Sequence, residues 1–307
     1  MGALPMISGN HTPARTDRTG QNHHLHAAVA TALTLLLVVL SLLCAPPDLW
    51  AGPIFLTGHD PDFHSQDSVG AANLFRSGLS FVTNGTFDDG AATKFLWVES
   101  RIATPGGHRI GELGLATLGL TLGTNYDRAN AADLATVNFS SYTAIAIASS
   151  FGGLLTRAEL DGLIARSGDI ATYVNAGGGL LALSECFPCG ANLLDGATAP
   201  SLFGYLPVTV SSIPPVGSFT VTAAGAAAPF NLTNGDVNDP THNSFGLIGG
   251  LVPLDRDQGT NATTLAGNVS IGDGGFISPT PEPSSLLLFG SGLAALAIWR
   301  KAKWPRA

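Results

Sequence analysis

Side chains that commonly bind metal ions are concentrated in one short segment that begins at Gly58. The candidate ligands are His59, Asp60, Asp62 and His64. Imidazole nitrogens and carboxylate oxygens this close together in sequence can bind a divalent cation. Ser65 or Asp67 could instead act as the N-cap of a following helix, or the segment could form the rim of a sugar-binding site. Capping of the following helix, a structural role, is the favoured interpretation. No cofactor is predicted, although a divalent cation stays open as an alternative.

A second pair of reactive side chains, Cys186 and Cys189, is separated by Phe187 and Pro188. The chain has three cysteines, and the third, Cys44, lies in a segment that is predicted to be removed. In an oxidising compartment two remaining cysteines at this spacing predict a small disulfide. A thioredoxin-type redox pair and half of a zinc site have the same spacing, and both alternatives stay open.

The elements that must position these residues alternate between strand and helix. Apolar runs predict buried strands at residues 54–57, 94–99, 143–149 and 180–183. Helical spacing of apolar residues predicts a helix within 66–82. Thr156 and Glu159 form a capping-box pattern that opens another helix, which Gly177–Gly179 ends. This order predicts an α/β fold with a doubly wound, mostly parallel sheet of the flavodoxin-like kind.

The composition changes near residue 206 to Val, Thr, Gly and Pro. Residues 207–210 and 219–222 are strand candidates, which predicts a β-rich extension of the same sheet. A separate small β domain is the alternative. Residues 267–280 resemble a flexible linker in composition, so the predicted domain covers residues 52–266.

The amino-terminal segment predicts export. Ala27–Leu43 is an apolar stretch preceded by Arg15 and Arg18. Together with the small residues near Ala51, this indicates a Sec signal peptide over residues 1–51. Residues 52–280 contain eight Lys and Arg against nineteen Asp and Glu, a net charge of −11. Nucleic acid is therefore excluded as a partner, because phosphate binding needs clustered basic residues.

The carboxyl-terminal segment has three consecutive parts. Pro281, Glu282 and Pro283 precede a 14-residue apolar run, Leu286–Trp299, and a basic end. The run is shorter than the roughly 20 residues that span a bilayer comfortably. This arrangement resembles the PEP-CTERM sorting signal of Gram-negative bacteria. The resemblance implies recognition by an exosortase-type membrane protease, a transient transmembrane helix in the inner membrane, cleavage near Pro-Glu-Pro, and delivery to the cell surface or the exopolysaccharide matrix; a plain membrane anchor is the alternative.

The domain itself carries a second resemblance. Residues 54–60, 142–149 and 175–184 are similar to the class I glutamine amidotransferase-like fold, especially its trehalose-utilisation-like branch. That resemblance covers roughly residues 54–210 and implies a cysteine nucleophile in a Gly-x-Cys-x-Gly elbow. Residues 182–186 read Ala-Leu-Ser-Glu-Cys instead, without either glycine. Ser184 takes the nucleophile position, with His242 as the candidate base and Glu185 or Asp239 as the residue that orients the imidazole.

These observations predict an exported surface or matrix protein whose domain is a non-catalytic binding or structural module. Its expected partners are the exosortase and possible exopolysaccharide or surface components. The alternative is a periplasmic or surface hydrolase. That enzyme would use Ser184 and His242, or a metal-assisted water at His59, Asp60 and His64.

Overall fold

The strands of the domain form one sheet whose two parts differ in strand direction. The computed structural model describes residues 51–100, 111–150, 155–183, 202–206, 210–239, 241–272 and 275–277, which belong to one compact unit, Leu49–Thr280. The first part consists of five parallel strands: β1 (Gly52–Thr57), β2 (Phe95–Val98), β3 (Tyr126–Ala129), β4 (Ala144–Ile147) and β5 (Gly179–Ala182). They lie in the order β3-β2-β4-β5-β1.

Helices lie between the parallel strands along the chain, and a short helix, Ala223–Ala226, lies in the antiparallel part. The helices are α1 (Pro61–His64), α2 (Val69–Val82), α3 (Gly111–Thr117), α4 (Ala131–Leu134), α5 (Arg157–Ala165), α6 (Ser167–Asn175) and α7 (Ala223–Ala226), with 3₁₀ turns at Ala91–Thr93 and Phe139–Ser141. This alternation confirms the predicted α/β class. The flavodoxin-like order is not confirmed, because that order places β1 between β2 and β3, whereas here β1 lies beside β5.

Consecutive side chains of β1 explain its central place in the core. Ile54, Phe55 and Leu56 are each at most 1 % exposed. Since successive side chains of a strand point to opposite faces, both faces of β1 are covered. Local signals begin and end the covering helices. The Ser68 hydroxyl accepts a hydrogen bond from the Ala71 amide at the start of α2, and Gly177, at a φ of 93°, follows the end of α6.

The predicted capping box at the start of α5 is present. The Glu159 carboxylate accepts a hydrogen bond from the Thr156 amide at 3.0 Å. Its other oxygen accepts one from the Ala131 amide at 3.0 Å. Glu159 therefore caps its own helix and also joins it to the first residue of α4.

The second part of the sheet is antiparallel. It contains β6 (Ser212–Ile213), β7 (Phe219–Val221), β8 (Ser244–Phe245), β9 (Val252–Asp257), β10 (Ala262–Gly272) and β11 (Gly275–Ile277). The long strand β10 pairs with β1, β8, β9 and β11. The β-rich region therefore extends the same sheet, as predicted, and β7 lies at the predicted strand 219–222; residues 207–209 of the other candidate lie outside the described residues.

The predicted linker is wrong for most of its length. Residues 267–272 continue β10, and residues 275–277 form β11. Gly52, Pro53 and Ile54 of β1 pair with Val269, Asn268 and Gly267. The glycines and polar residues of this segment suggested a loop, but pairing along the full length of β1 satisfies its backbone groups as a strand.

Both predicted apolar targeting segments, within residues 1–51 and 281–307, lie outside the described residues. In the part of the chain that the structure describes, no helix combines the length and the apolar character needed to cross a bilayer.

Candidate functional site

The predicted metal ligands lie where β1 ends at the carboxyl edge of the parallel strands. Glu99 directly follows β2, and Ser149 lies two residues after β4, so three strand ends bring polar groups to one edge. The strand order reverses between β2 and β4. In open α/β sheets this edge, at such a reversal, is where ligands bind.

His59 forms a buried pair with Asp255. Its Nε2 atom lies 2.9 Å from Asp255 Oδ2, and the two side chains are 1 % and 0 % exposed. Its Nδ1 atom lies 2.7 Å from the Thr241 hydroxyl. The Thr263 hydroxyl also donates a hydrogen bond to Asp255 Oδ2. Both ring nitrogens of His59 are therefore engaged, and the residue joins the loop after β1 to the antiparallel strands.

Asp60, His64 and His242 form a separate group, here called the Asp–His–His group. Asp60 Oδ1 lies 3.4 Å from His64 Nε2, and Asp60 Oδ2 lies 3.2 Å from His242 Nε2. One ligand atom from each side chain lies within 4.8 Å of those of the other two. The Asp60 carboxylate is 1 % exposed, whereas His64 and His242 are 22 % and 16 % exposed. The group therefore has a buried carboxylate and two imidazoles that reach solvent.

Asp62 points away from this group and toward β4. Its two oxygens accept hydrogen bonds from backbone amides, Oδ1 from Phe63 at 3.1 Å and Oδ2 from Ser149 at 2.9 Å. Burial raises the pKa of Asp62 to about 8, and the nearby Asp60 and Glu99 carboxylates act in the same direction. Asp62 thus ties α1 to the end of β4, with both oxygens already bonded.

Glu99 occupies the end of β2. Its oxygens accept hydrogen bonds from Trp97 Nε1 at 2.7 Å, from the Gly111 amide at 2.7 Å and from the Glu112 amide at 3.2 Å. Burial raises the pKa of Glu99 to about 7, although these three donors act in the opposite direction. A Cβ on Gly111 would lie 2.6 Å from the Trp97 ring and 3.0 Å from Asp62 Oδ2. The start of α3 therefore fits closely between the two carboxyl groups.

Two kinds of chemistry fit this edge of the sheet. Carboxyl groups whose pKa is raised toward neutral pH are suited to proton transfer, but both oxygens of Asp62 and of Glu99 accept hydrogen bonds from structural donors. The Asp–His–His group offers two nitrogens and one oxygen, a donor set that suits Zn²⁺ and related divalent ions. Metal binding depends on side chains that are partly exposed to solvent, and it is therefore a better candidate for function than proton transfer.

Some predicted residues are separated and others are brought together. Asp60 and His64 meet, and they are joined by His242, which was predicted as a partner of Ser184. Asp239 accepts a hydrogen bond from the Ser68 hydroxyl at 2.7 Å. Ser184, Glu185, Cys186, Cys189, Pro281, Glu282 and Pro283 lie outside the described residues, so the dyad, the disulfide and the cleavage site stay predictions.

Glu99 and Asp255 were not predicted as part of this edge. Glu99 ends a predicted strand, and that position alone is a usable signal because strand ends line the ligand crevice. Asp255 gave no comparable signal, since it lies within β9, far from His59 in sequence.

A cleft of about 440 Å³ lies at the opposite, amino-terminal edge. Thr93, Thr143 and Gly178, which precede β2, β4 and β5, are among the residues that line it. No His, Cys, Asp or Glu side chain is part of its lining, so the cleft does not coincide with the carboxyl and imidazole groups of the carboxyl edge.

Comparison with known proteins identifies one segment of the chain. Residues 279–301 match the PEP-CTERM protein-sorting motif. The chain is therefore an exported protein that carries an exosortase recognition signal, with a membrane-anchored intermediate before surface release. No curated protein and no solved structure matches the chain. The resemblance of the domain to amidotransferases accordingly has no support from a family or from a structural neighbour.

Proposed function

We propose that this protein is a surface or exopolysaccharide-matrix component whose α/β domain is a non-catalytic binding or structural module. The observation that carries the proposal is the sorting motif at residues 279–301. A protein with this motif is released at the surface after an exosortase acts on it, so its domain works outside the cell.

The carboxyl edge of the sheet supports a non-catalytic role. Asp62 and Glu99, whose pKa values are raised to about 8 and about 7, both accept hydrogen bonds from backbone amides that hold α1 and α3 in place. His59 is bonded through both ring nitrogens, which leaves it unavailable to hold a metal-bound water. Without His59, the hydrolase alternative depends on a water activated at Asp60 and His64, or on Ser184, a residue that replaces the expected cysteine without its flanking glycines.

The sorting part of the proposal is tested in a host that contains an exosortase. The full chain and the Glu282→Ala/Pro283→Ala variant would each be expressed without an epitope tag. Mass spectrometry of their native peptides would then show which residues each protein retains. The unmodified protein should lack the residues after the Pro-Glu-Pro segment and appear in the surface fraction. The double variant should keep its basic terminus and stay with the membrane. Pro214→Ala, at an exposed proline outside the matched motif, is the control and should be processed normally.

Retention of the full tail in the unmodified protein would contradict sorting. The binding role is tested separately by cosedimentation of the released protein with the exopolysaccharide of the same host. Hydrolysis of that polymer, abolished by Ser184→Ala but not by Ser140→Ala, would contradict the non-catalytic role and leave the sorting result intact.

A further inference from the structure

We propose that Asp60, His64 and His242 bind one first-row divalent cation of the Zn²⁺ type. The inference is independent of how the protein is sorted. It rests on the distances within the Asp–His–His group, on the burial of Asp60, and on the backbone contacts that fix His242.

The distances fit a shared ion. Ligand atoms about 2.0–2.1 Å from one tetrahedral Zn²⁺ lie about 3.3–3.4 Å apart. The two distances from the Asp60 oxygens to the imidazole Nε2 atoms are 3.4 Å for His64 and 3.2 Å for His242. Each separation matches one edge of a coordination polyhedron in which both Asp60 oxygens face the ion, and one ligand atom from each of the three residues lies within 4.8 Å of the other two.

Burial of Asp60 supplies a second, independent observation. Its side chain is 1 % exposed, yet its Oδ1 atom has no hydrogen-bond partner among the described residues. His64 Nε2 is 3.4 Å from that atom but lacks hydrogen-bond geometry. A buried carboxylate oxygen without a partner is costly, and a cation between it and the imidazoles would remove that cost.

The fold holds the ligands from two sides. Asp60 and His64 are four residues apart, around the first turn of α1. The His242 amide donates a hydrogen bond to the Gly58 carbonyl at 2.8 Å, and His59 and Thr241 form a bridge between the same two segments. A Cβ on Gly58 would overlap the Asn243 carbonyl, so glycine permits this close approach. The separation of the ligands is therefore set by backbone pairing.

The donor set indicates which ions should bind. Two imidazoles and one carboxylate suit Zn²⁺ and neighbouring first-row metals. Ca²⁺ prefers six to eight oxygen ligands, and Mg²⁺ keeps most of its water. Both imidazoles are partly exposed, although His242 Nε2 itself is buried, and water or another ligand would complete the coordination.

Zn²⁺ alone is the probe for the experiment. The full chain would be purified in detergent, stripped with a chelator, and titrated with Zn²⁺ against a chromophoric competitor. We expect one tight equivalent and a higher melting temperature, because an ion that binds only the folded state stabilises it. His64→Gln and His242→Gln should each weaken this equivalent at least about 100-fold, since loss of outer-shell partners alone costs 10–100-fold.

The chain contains eight histidines, and His108→Gln, in the domain but outside the Asp–His–His group, provides the matched control, which should keep the tight equivalent. X-ray absorption at the zinc edge tests the unmodified protein without any variant. A nitrogen and oxygen shell at about 2.0–2.1 Å supports the site, whereas a sulfur shell at about 2.3 Å assigns the ion to the cysteines and overturns it. Absence of a tight equivalent, or its survival in both His64→Gln and His242→Gln, also overturns the proposal.

Discussion

Two sets of buried carboxylates lie at the carboxyl edge of the parallel strands, and they differ in the groups that face them. Asp62 and Glu99 face backbone amides and an indole N–H. Asp60 and Asp255 face imidazoles. Amide donors belong to the fold and stay in place, so the first set has a structural role. Imidazoles can exchange a carboxylate partner for a metal ion, so the second set can respond to a ligand.

The second set is itself divided. Asp255 and His59 are almost fully buried, and Thr241 and Thr263 bond to His59 and to Asp255 Oδ2. Asp60 and Asp255 each have one oxygen without a hydrogen bond among the described residues, but only the imidazole neighbours of Asp60 are partly exposed. Burial of both members gives the His59–Asp255 pair a structural role. The partial exposure of its imidazoles makes the Asp–His–His group the binding site that we propose.

The largest expected effect is loss of the Asp255 carboxylate. Asp255→Ala should lower the free energy of unfolding by about 3 kcal/mol, because it leaves the buried His59 N–H and the Thr263 hydroxyl without their acceptor. Urea unfolding measures the change. Asp161→Ala is the matched control, since Asp161 is 55 % exposed and pairs with Arg157 on the surface, and it should cost less than about 1 kcal/mol. Equal effects of the two substitutions would remove the distinction between buried and exposed pairs.

The next largest loss of stability is expected where α1 and α3 pack against each other. A Cβ on Gly114 would overlap the Asp62 carbonyl and lie 2.8 Å from the Ser65 hydroxyl. Gly114→Ala should therefore destabilise the domain by about 1–3 kcal/mol in thermal or urea unfolding. Gly168→Ala in α6 is the control, because nothing lies within 4 Å of its added Cβ. It should stabilise the helix by up to about 1 kcal/mol, and a loss there would contradict the packing argument.

Glu99 should make stability depend on pH in the direction opposite to an ordinary ion pair. Its pKa in the folded state is raised from 4.5 to about 7, so the folded state holds a proton that the unfolded state has released. The stabilisation is complete below about pH 4.5 and is lost as the pH rises through 7. Between pH 5 and pH 7 the free energy of unfolding should fall by about 2 kcal/mol more in the unmodified protein than in Glu99→Gln.

Urea unfolding at several pH values checks this prediction. Asp161→Asn, at an exposed carboxylate, should follow the unmodified protein over the same range. A Glu99→Gln curve parallel to that of the unmodified protein would show that the amide donors keep Glu99 ionised in the folded state.

Asp239 should have the smallest effect. It accepts a hydrogen bond from the N-cap residue Ser68, so Asp239→Ala should cost about 1 kcal/mol in unfolding. Zn²⁺ affinity should stay within about twofold, because Asp239 is not part of the Asp–His–His group. Competitive titration of Asp239→Ala beside His242→Gln makes the comparison, and a shared large loss of affinity would place Asp239 among the residues that position the site.

Several elements could be predicted because their signals are local. The capping box at Thr156 and the apolar run at 143–149 correspond to α5 and β4. Because that run is apolar throughout, burial on both faces was expected, and the run could be interpreted as a central strand. The position of β10 could not be predicted in the same way. Its last residues have loop-like composition, and they form a strand because β1 lies beside them.

Within the candidate site, the sequence indicated Asp60 and His64 because they are neighbours along the chain. It could not indicate that His242 joins them, since that contact depends on the pairing of the segment before β8 with the loop after β1. Nor could it exclude His59 and Asp62 as ligands. Their burial and hydrogen bonds come from Asp255, Thr241 and Ser149, which lie in other parts of the sequence.

The sequence by itself determined the sorting signal, the acidic charge of the domain and the α/β class, because each depends on residues that are adjacent or on simple counts. Only the tertiary structure decided the strand order, the strand pairings within the antiparallel half of the sheet and the membership of the Asp–His–His group. Those features depend on contacts between segments that are far apart in sequence. The pattern of residues within one segment does not show which distant segment it will contact.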